Sequence, residues 1–241
     1  MEGSGNIIKN GYRKNISFML KWLVILSSLG GVILGLYFAK RDGYFHWATR
    51  LMYFTGQSNI WIGVWTILLL ISPYIKSLST DKAKRILYIV RYIFTVSITV
   101  TGIVYCTLLA PFAYKENFDA WTLSNVLTHV VAPILSVLDF FLDEYKFKVT
   151  KEKIIFTAIP PLVYFIFAGT LNIFDVDFGR GDPYPYFFLN LKSPAGIFGF
   201  SSTPSFVLGS FYWILLFIVM IYTIAAVFMV INSFIMKKAS E

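Results

Sequence analysis

Two short polar motifs in an otherwise apolar chain hold the parts of a nucleophile–base couple. Tyr53-Phe54-Thr55-Gly56-Gln57-Ser58-Asn59 supplies hydroxyls and amides, and Asn125-Val126-Leu127-Thr128-His129 supplies an imidazole. A threonine hydroxyl is inert until a base takes its proton, and a neutral imidazole suits that task near pH 7. Both motifs lie in stretches that read as membrane helices. Hydrocarbon offers no partners there, so their polar groups must face one another or a cavity. An intramembrane histidine points to function by default, whereas a membrane threonine often bonds the carbonyl four residues back, here that of Leu51. The residues alone leave Thr55 open between packing and chemistry.

The elements that must bring these side chains together are helices spanning a bilayer. The 241 residues are 57% hydrophobic and only 14% charged, with a mean hydropathy of +0.67. A soluble domain carries about 25% charged residues, so this chain lacks the polar surface to cover itself in water. Six apolar runs, about 17–39, 51–72, 88–110, 121–142, 153–173 and 207–235, each approach the ~20 residues a bilayer core requires. The expected fold is all-α, a single polytopic domain over 1–241 with six transmembrane helices. A β-barrel would show ten-residue alternation instead. The first run follows a basic leader, has no small-residue cleavage site and reads as a retained helix. Ser27, Gly31 and Gly35 recur on it at every fourth position, a stripe that lets another helix approach closely.

The net charge of +8 does not point to nucleic acid, because Lys and Arg sit in short segments between the apolar runs. Fifteen of the 21 lie on one side: Lys9, Arg13, Lys14, Lys21, Lys76, Lys82, Lys84, Arg85, Arg91, Lys146, Lys148, Lys151, Lys153, Lys237 and Lys238. The other six are Lys40, Arg41, Arg50, Lys115, Arg180 and Lys192. This asymmetry predicts that both termini are cytoplasmic. The long connection 174–206 then lies outside. It carries Pro183, Pro185, Pro194 and Pro204 among Tyr184, Tyr186, Phe187 and Phe188, a composition that favours a packed lid or interfacial cap.

Helical spacing aligns Thr55, Ser58/Asn59, Ile62/Gly63 and Thr66 on helix 2. It aligns Asn125, His129, Ala132/Pro133, Ser136 and Asp139 on helix 4, and Arg91, Thr95, Thr99, Gly102 and Cys106 on helix 3. At 1.5 Å per residue, Thr55 lies ~6 Å and His129 ~12 Å below the outer edge, close enough to share one cavity. Asp139 is ~15 Å beyond His129 and cannot complete a triad; it is expected to pair with Arg91 near the inner boundary. Asp143 and Glu144 read as solvated flanks. Pro133 frees the carbonyl of His129 from its helical bond, for water, a ligand or a kink. His46 sits beside Trp47 and reads as interfacial. Two distant histidines and the single Cys106 give no metal site, and the pair Asp175/Asp177 is weak evidence for a cation. No cofactor motif is present: neither a phosphate-cradling loop nor a nucleophile elbow occurs.

Arg50-x-x-Tyr53-x-Thr55, Asn125-x-x-x-His129 and Tyr184-Pro185 resemble the androgen-induced-protein family, which includes the androgen-dependent TFPI-regulating protein. The run Tyr-Phe-Thr-x-Gln-Ser-Asn, followed by His-x-x-x-Pro and an Asp, looks most like its prokaryotic branch, and the resemblance extends over nearly all six spans. Animal members are six-helix membrane hydrolases that cleave fatty acid esters of hydroxy fatty acids with a threonine nucleophile and a histidine. The resemblance implies Thr55 as nucleophile and His129 as general base, without an acidic third member. Asn125, Asn59 and Gln57 are candidates to orient the ring or donate to an oxyanion. It further implies a lipid ester substrate entering from the bilayer and residence in the cell membrane, and the Lys-, Ile-, Asn- and Phe-rich composition suits a prokaryote. Two other readings remain. A non-enzymatic lipid-binding protein or small-molecule carrier predicts a cavity continuous to both sides, and packing alone predicts no cavity at all. The absence of an internal repeat counts mildly against a carrier.

Overall fold

A computed structural model describes residues 6–7, 11–113, 119–143, 145–203 and 206–238. Lys9, Lys115, Glu144 and Pro204 lie outside the described residues. Six helices are long and apolar enough to cross a membrane: α1 (Arg13–Tyr37), α2 (Phe54–Tyr74), α3 (Asp81–Leu109), α4 (Leu123–Leu142), α5 (Lys151–Ile173) and α6 (Ser210–Lys238). The protein is an all-α, multi-pass membrane protein. Two short strands, β1 (Asn6–Ile7) and β2 (Tyr145–Lys146), pair antiparallel and join the N-terminal segment to the α4–α5 connection.

Each span departs from the sequence reading by a few residues, and the largest difference is at α3. That helix starts at Asp81 because Thr80 caps it, its hydroxyl accepting from the N–H of Ala83 at 3.3 Å. The charged turn that follows extends the helix past its apolar stretch. α2 starts at Phe54 rather than Leu51, because Trp47–Met52 forms a 3-10 helix and Tyr53 turns the chain with extended backbone angles.

α3 is central. α1 packs along α2 and α4, α3 meets α2, α4 and α6, and α5 lies against α3 and α6. The small-residue stripe sets the closeness of α1 to α4: a Cβ on Gly31 would lie 2.7 Å from Thr128 Cγ2, and one on Gly35 2.8 Å from Ser124 Oγ. The polar faces of α2 and α4 point inward as their spacing requires, with Ser58, Asn59, Thr66, Asn125, His129, Ser136 and Asp139 all buried. On α3, Cys106 leaves the stripe and is exposed, the inward place at that level being filled by the larger Tyr105 ring.

At the basic end the bundle is closed by charges. The Arg91 guanidinium binds both Asp139 and Asp143. Lys21 Nζ reaches Asp139 at 3.2 Å and Asp143 at 2.9 Å. The expected Arg91–Asp139 pair is therefore present within a larger cluster. Asp143 is a correction to the sequence reading: it is buried and paired rather than solvated, because α4 ends above two cations from α1 and α3. Burial alone would raise its carboxyl, but Arg91 and then Lys21 hold it below the usual carboxylate range. Lys146 is buried as well, its ammonium donating to the Phe140 carbonyl at 2.7 Å, and burial pulls it down to about 7 against the opposing pull of Asp143.

Candidate active site

Thr55 and His129 meet. Thr55 stands in the first turn of α2, and its Oγ1 lies 3.1 Å from His129 Nε2 on α4. Nδ1 of the same ring is 3.0 Å from the carbonyl of Asn125, one turn back. A carbonyl only accepts, so Nδ1 carries the proton and Nε2 presents a lone pair to the threonine hydroxyl. Thr128 Oγ1, itself donating to the Ser124 carbonyl at 2.8 Å, lies 3.2 Å from Nδ1 and reinforces this tautomer.

The ring is also clamped by stacking. Tyr105 lies over it with centroids 3.6 Å apart and planes 17° from parallel. Both residues sit in π-helical turns, Tyr105–Leu109 on α3 and Leu127–Val131 on α4, a local widening often found at functional sites. Pro133 follows the second of these, since it has no N–H to bind the His129 carbonyl. That carbonyl is covered by the α3 backbone at Gly102, where a Cβ would come within 2.8 Å of it.

The three amide candidates have other engagements. Asn125 orients the ring through its main-chain carbonyl, while its side chain donates to the Ala120 carbonyl at 3.1 Å. Asn59 donates to the carbonyls of Thr55 at 2.9 Å and Thr128 at 3.1 Å, tying α2 to α4 directly behind the pair. Gln57 donates to the Leu51 carbonyl at 3.3 Å. None of the three points an amide N–H at the Thr55 hydroxyl.

A tyrosine from the outer connection does approach it. Tyr186 places its hydroxyl 3.5 Å from Thr55 Oγ1 and stacks on Phe188 at 5.1 Å between ring centroids. The segment that carries it is pinned at its neck by Asn172, a fully buried residue near the end of α5. Asn172 donates to the Pro183 carbonyl at 2.9 Å and accepts from the N–H of Leu191 at 2.9 Å. Burial pushes the Tyr186 hydroxyl up to about 12, partly offset by the Thr55 side chain and by the main chain of Thr55 and Phe54 beside it. The start of α2 has no side-chain cap of its own, so its first N–H groups are turned towards this loop.

Two cavities converge on the pair. A chamber of about 400 Å³ lies between the outer ends of α1, α2 and α4 and the outer connection. His129, Thr55 and Ser124 lie on one side of it, and Arg50, Arg180 and Asp182 on the other. A second cavity of about 40 Å³ is apolar, with Val100, Val104, Pro161, Phe165, Phe217 and Ile221 in its wall. Thr55, Leu109 and Tyr186 line both. Neither cavity reaches the charge cluster among the described residues.

The remaining candidates serve structure. His46 is exposed, stacks on Trp47 and accepts from the N–H of Ala48 at 3.2 Å. Asp175 pairs with Lys192 at 2.6 Å, and Asp177 accepts the N–H groups of Arg180 and Gly181 at 3.1 Å, closing a turn at Gly179 (φ +99°). Sequence reasoning missed Tyr105, Tyr186 and Asn172 in these roles. The Tyr-Pro element was a pointer to the second, but no spacing rule joins residues from different helices.

Comparison with known proteins adds no family to this description: no family model matches the chain, and neither does any curated protein or solved structure.

Proposed function

We propose that this protein hydrolyses lipid esters within the membrane, with Thr55 as nucleophile and His129 as general base, and that it belongs to the prokaryotic branch of the androgen-induced-protein family. The observation that carries the reading is the 3.1 Å contact between Thr55 Oγ1 and His129 Nε2, whose Nδ1 faces the Asn125 carbonyl, with Thr55 in the wall of both cavities.

In the first half-reaction, Thr55 Oγ1 attacks the ester carbonyl carbon and its proton passes to Nε2, while the carbonyl π pair moves onto oxygen. Collapse expels the alkoxide, which takes the proton from Nε2 and leaves as the alcohol, with the acyl group on Thr55. Water then gives a proton to Nε2 and attacks the acyl carbon. The threonine oxygen departs with that proton, and a carboxylic acid is released. The apolar cavity takes the first carbons of the acyl chain, and the chamber takes the alcohol arm. The substrate comes from the bilayer, with the basic end of the bundle in the cytoplasm as the charge asymmetry requires.

A carrier would need a path to both faces. The chamber is lined by residues of one end only, and the other end is filled by the ion cluster, which favours hydrolysis over transport. Packing alone leaves a chamber of about 400 Å³ unexplained.

The test is turnover of a medium-chain p-nitrophenyl ester by the purified chain in detergent. Thr55→Ala is expected to abolish it, Thr55→Ser to retain a measurable part, and His129→Ala to lose most of it. Full turnover in Thr55→Ala contradicts the proposal.

A further inference from the structure

Tyr186 belongs to the long outer connection, and its ring fills no gap that a phenylalanine would not fill. Its ring packs edge-on against Tyr53 (5.7 Å, 80°) and face-on against Phe188, and neither contact uses the hydroxyl. The hydroxyl instead lies 3.5 Å from Thr55 Oγ1, and both residues line both cavities, so an ester with one arm in each passes beside it. We propose that Tyr186 is a catalytic residue of this site, its phenol donating the hydrogen bond that stabilises the oxyanion formed when Thr55 attacks. The inference rests on the hydrolase reading given above.

Four observations support it. An oxyanion shares its carbon with the attacking oxygen and lies beside it, so a donor 3.5 Å from Thr55 Oγ1 stands next to the place where the oxyanion forms, which such a donor must approach to about 2.7–3.1 Å. Asn59 spends both amide N–H groups on the carbonyls of Thr55 and Thr128, the amides of Asn125 and Gln57 bind the carbonyls of Ala120 and Leu51, and of the side chains beside the Thr55 hydroxyl it is Tyr186 that brings a further O–H to it. The Tyr186 hydroxyl also lies beside Thr55 at the uncapped start of α2, and the positive end of that helix favours negative charge on oxygen there. Asn172 fixes the segment that carries it, so the donor is held ready before substrate arrives.

No bond to Tyr186 forms or breaks. Its proton stays on the phenol through both tetrahedral intermediates, and the hydrogen bond shortens as charge builds on the substrate oxygen.

The experiment compares Tyr186→Phe with Thr55→Ala in the full chain, using the p-nitrophenyl ester as substrate and an alkyl trifluoromethyl ketone as inhibitor. The ketone adds a hydroxyl nucleophile to give a stable oxyanion. Tyr186→Phe is expected to lower kcat about a hundredfold with KM and melting temperature unchanged. It should weaken the ketone by a similar factor while leaving the affinity of a non-hydrolysable ether analogue intact. Turnover within twofold of the parent, alongside an inactive Thr55→Ala, overturns the role of Tyr186 and leaves the hydrolase reading standing. Loss of turnover together with a raised KM or a lowered melting temperature makes Tyr186 a packing residue and also overturns the proposal. An active Thr55→Ala removes both readings together.

Discussion

The two ends of this bundle bury comparable numbers of polar side chains and use them in opposite ways. At the basic end, Lys21, Arg91, Asp139 and Asp143 pair with one another, and neither cavity is lined by any of them. At the other end Asn125, His129 and Thr55 form a chain of neutral groups, and a chamber opens beside them with Arg50, Arg180 and Asp182 on its far side. Charges inside a membrane protein are tolerated when they are paired, and a fully paired cluster has nothing to offer a ligand. A neutral chain running from the Asn125 carbonyl through His129 to Thr55 ends on a hydroxyl that faces a cavity. Reactivity requires that open end.

The sharpest way to break the comparison is to remove one group from each end. Thr55→Ala should cut ester turnover by about 10⁴-fold or more, yet lower stability by no more than about 1 kcal/mol, the worth of one hydrogen bond. Arg91→Met should do the reverse. It leaves two buried carboxylates with Lys21 as their remaining close cation, and about 3–5 kcal/mol of stability is expected to go, read from thermal unfolding in detergent. Were Arg91→Met stable but inactive, the division of labour between the ends would be wrong.

A smaller effect is expected where α1 meets α4. Gly31→Val puts new atoms against Thr128, the neighbour of His129, and should cost about 1–3 kcal/mol while reducing turnover through displacement of the ring. Asn172→Leu should spare the helices and loosen only the segment that carries Tyr186, lowering kcat more than it lowers the melting temperature. A drop in melting temperature without a drop in kcat would show that this segment plays no part in turnover.

The smallest effect is a pH dependence that belongs to the basic end alone. Lys146 carries a proton in the unfolded chain up to its ordinary pKa of 10.5, but in the fold its ammonium is pulled down to about 7. Between those values the unfolded state binds more protons, so stability rises with pH across that window and is lower again towards pH 7. The melting temperature should therefore increase from pH 7 to pH 9. Lys146→Met should flatten this rise.

The number of helices and the inward faces of α2 and α4 were legible in the sequence because one hydrophobic period fixes both. His129 was legible as a candidate through residue type and depth, Thr55 as a nucleophile only through the family resemblance, and Arg91–Asp139 through depth alone. Asp143 was misread because its burial depends on Lys21, 122 residues away, and flank position says nothing of what lies opposite. Tyr105 was hidden for a related reason: the stripe counted Cys106 inward, whereas it is the Tyr105 ring that stacks on His129. That the ring is held by the Asn125 carbonyl rather than by an amide, and that the Tyr186 hydroxyl approaches Thr55, reflects geometry that spacing does not encode.

The central claim is that Thr55 is the nucleophile, and the most direct measurement is the site of covalent modification by a fluorophosphonate probe. Peptide mass spectrometry of the labelled chain is predicted to find the adduct on Thr55, with labelling absent in Thr55→Ala and steeply reduced in His129→Ala. An adduct on any other residue, or labelling that persists in Thr55→Ala, would contradict the account.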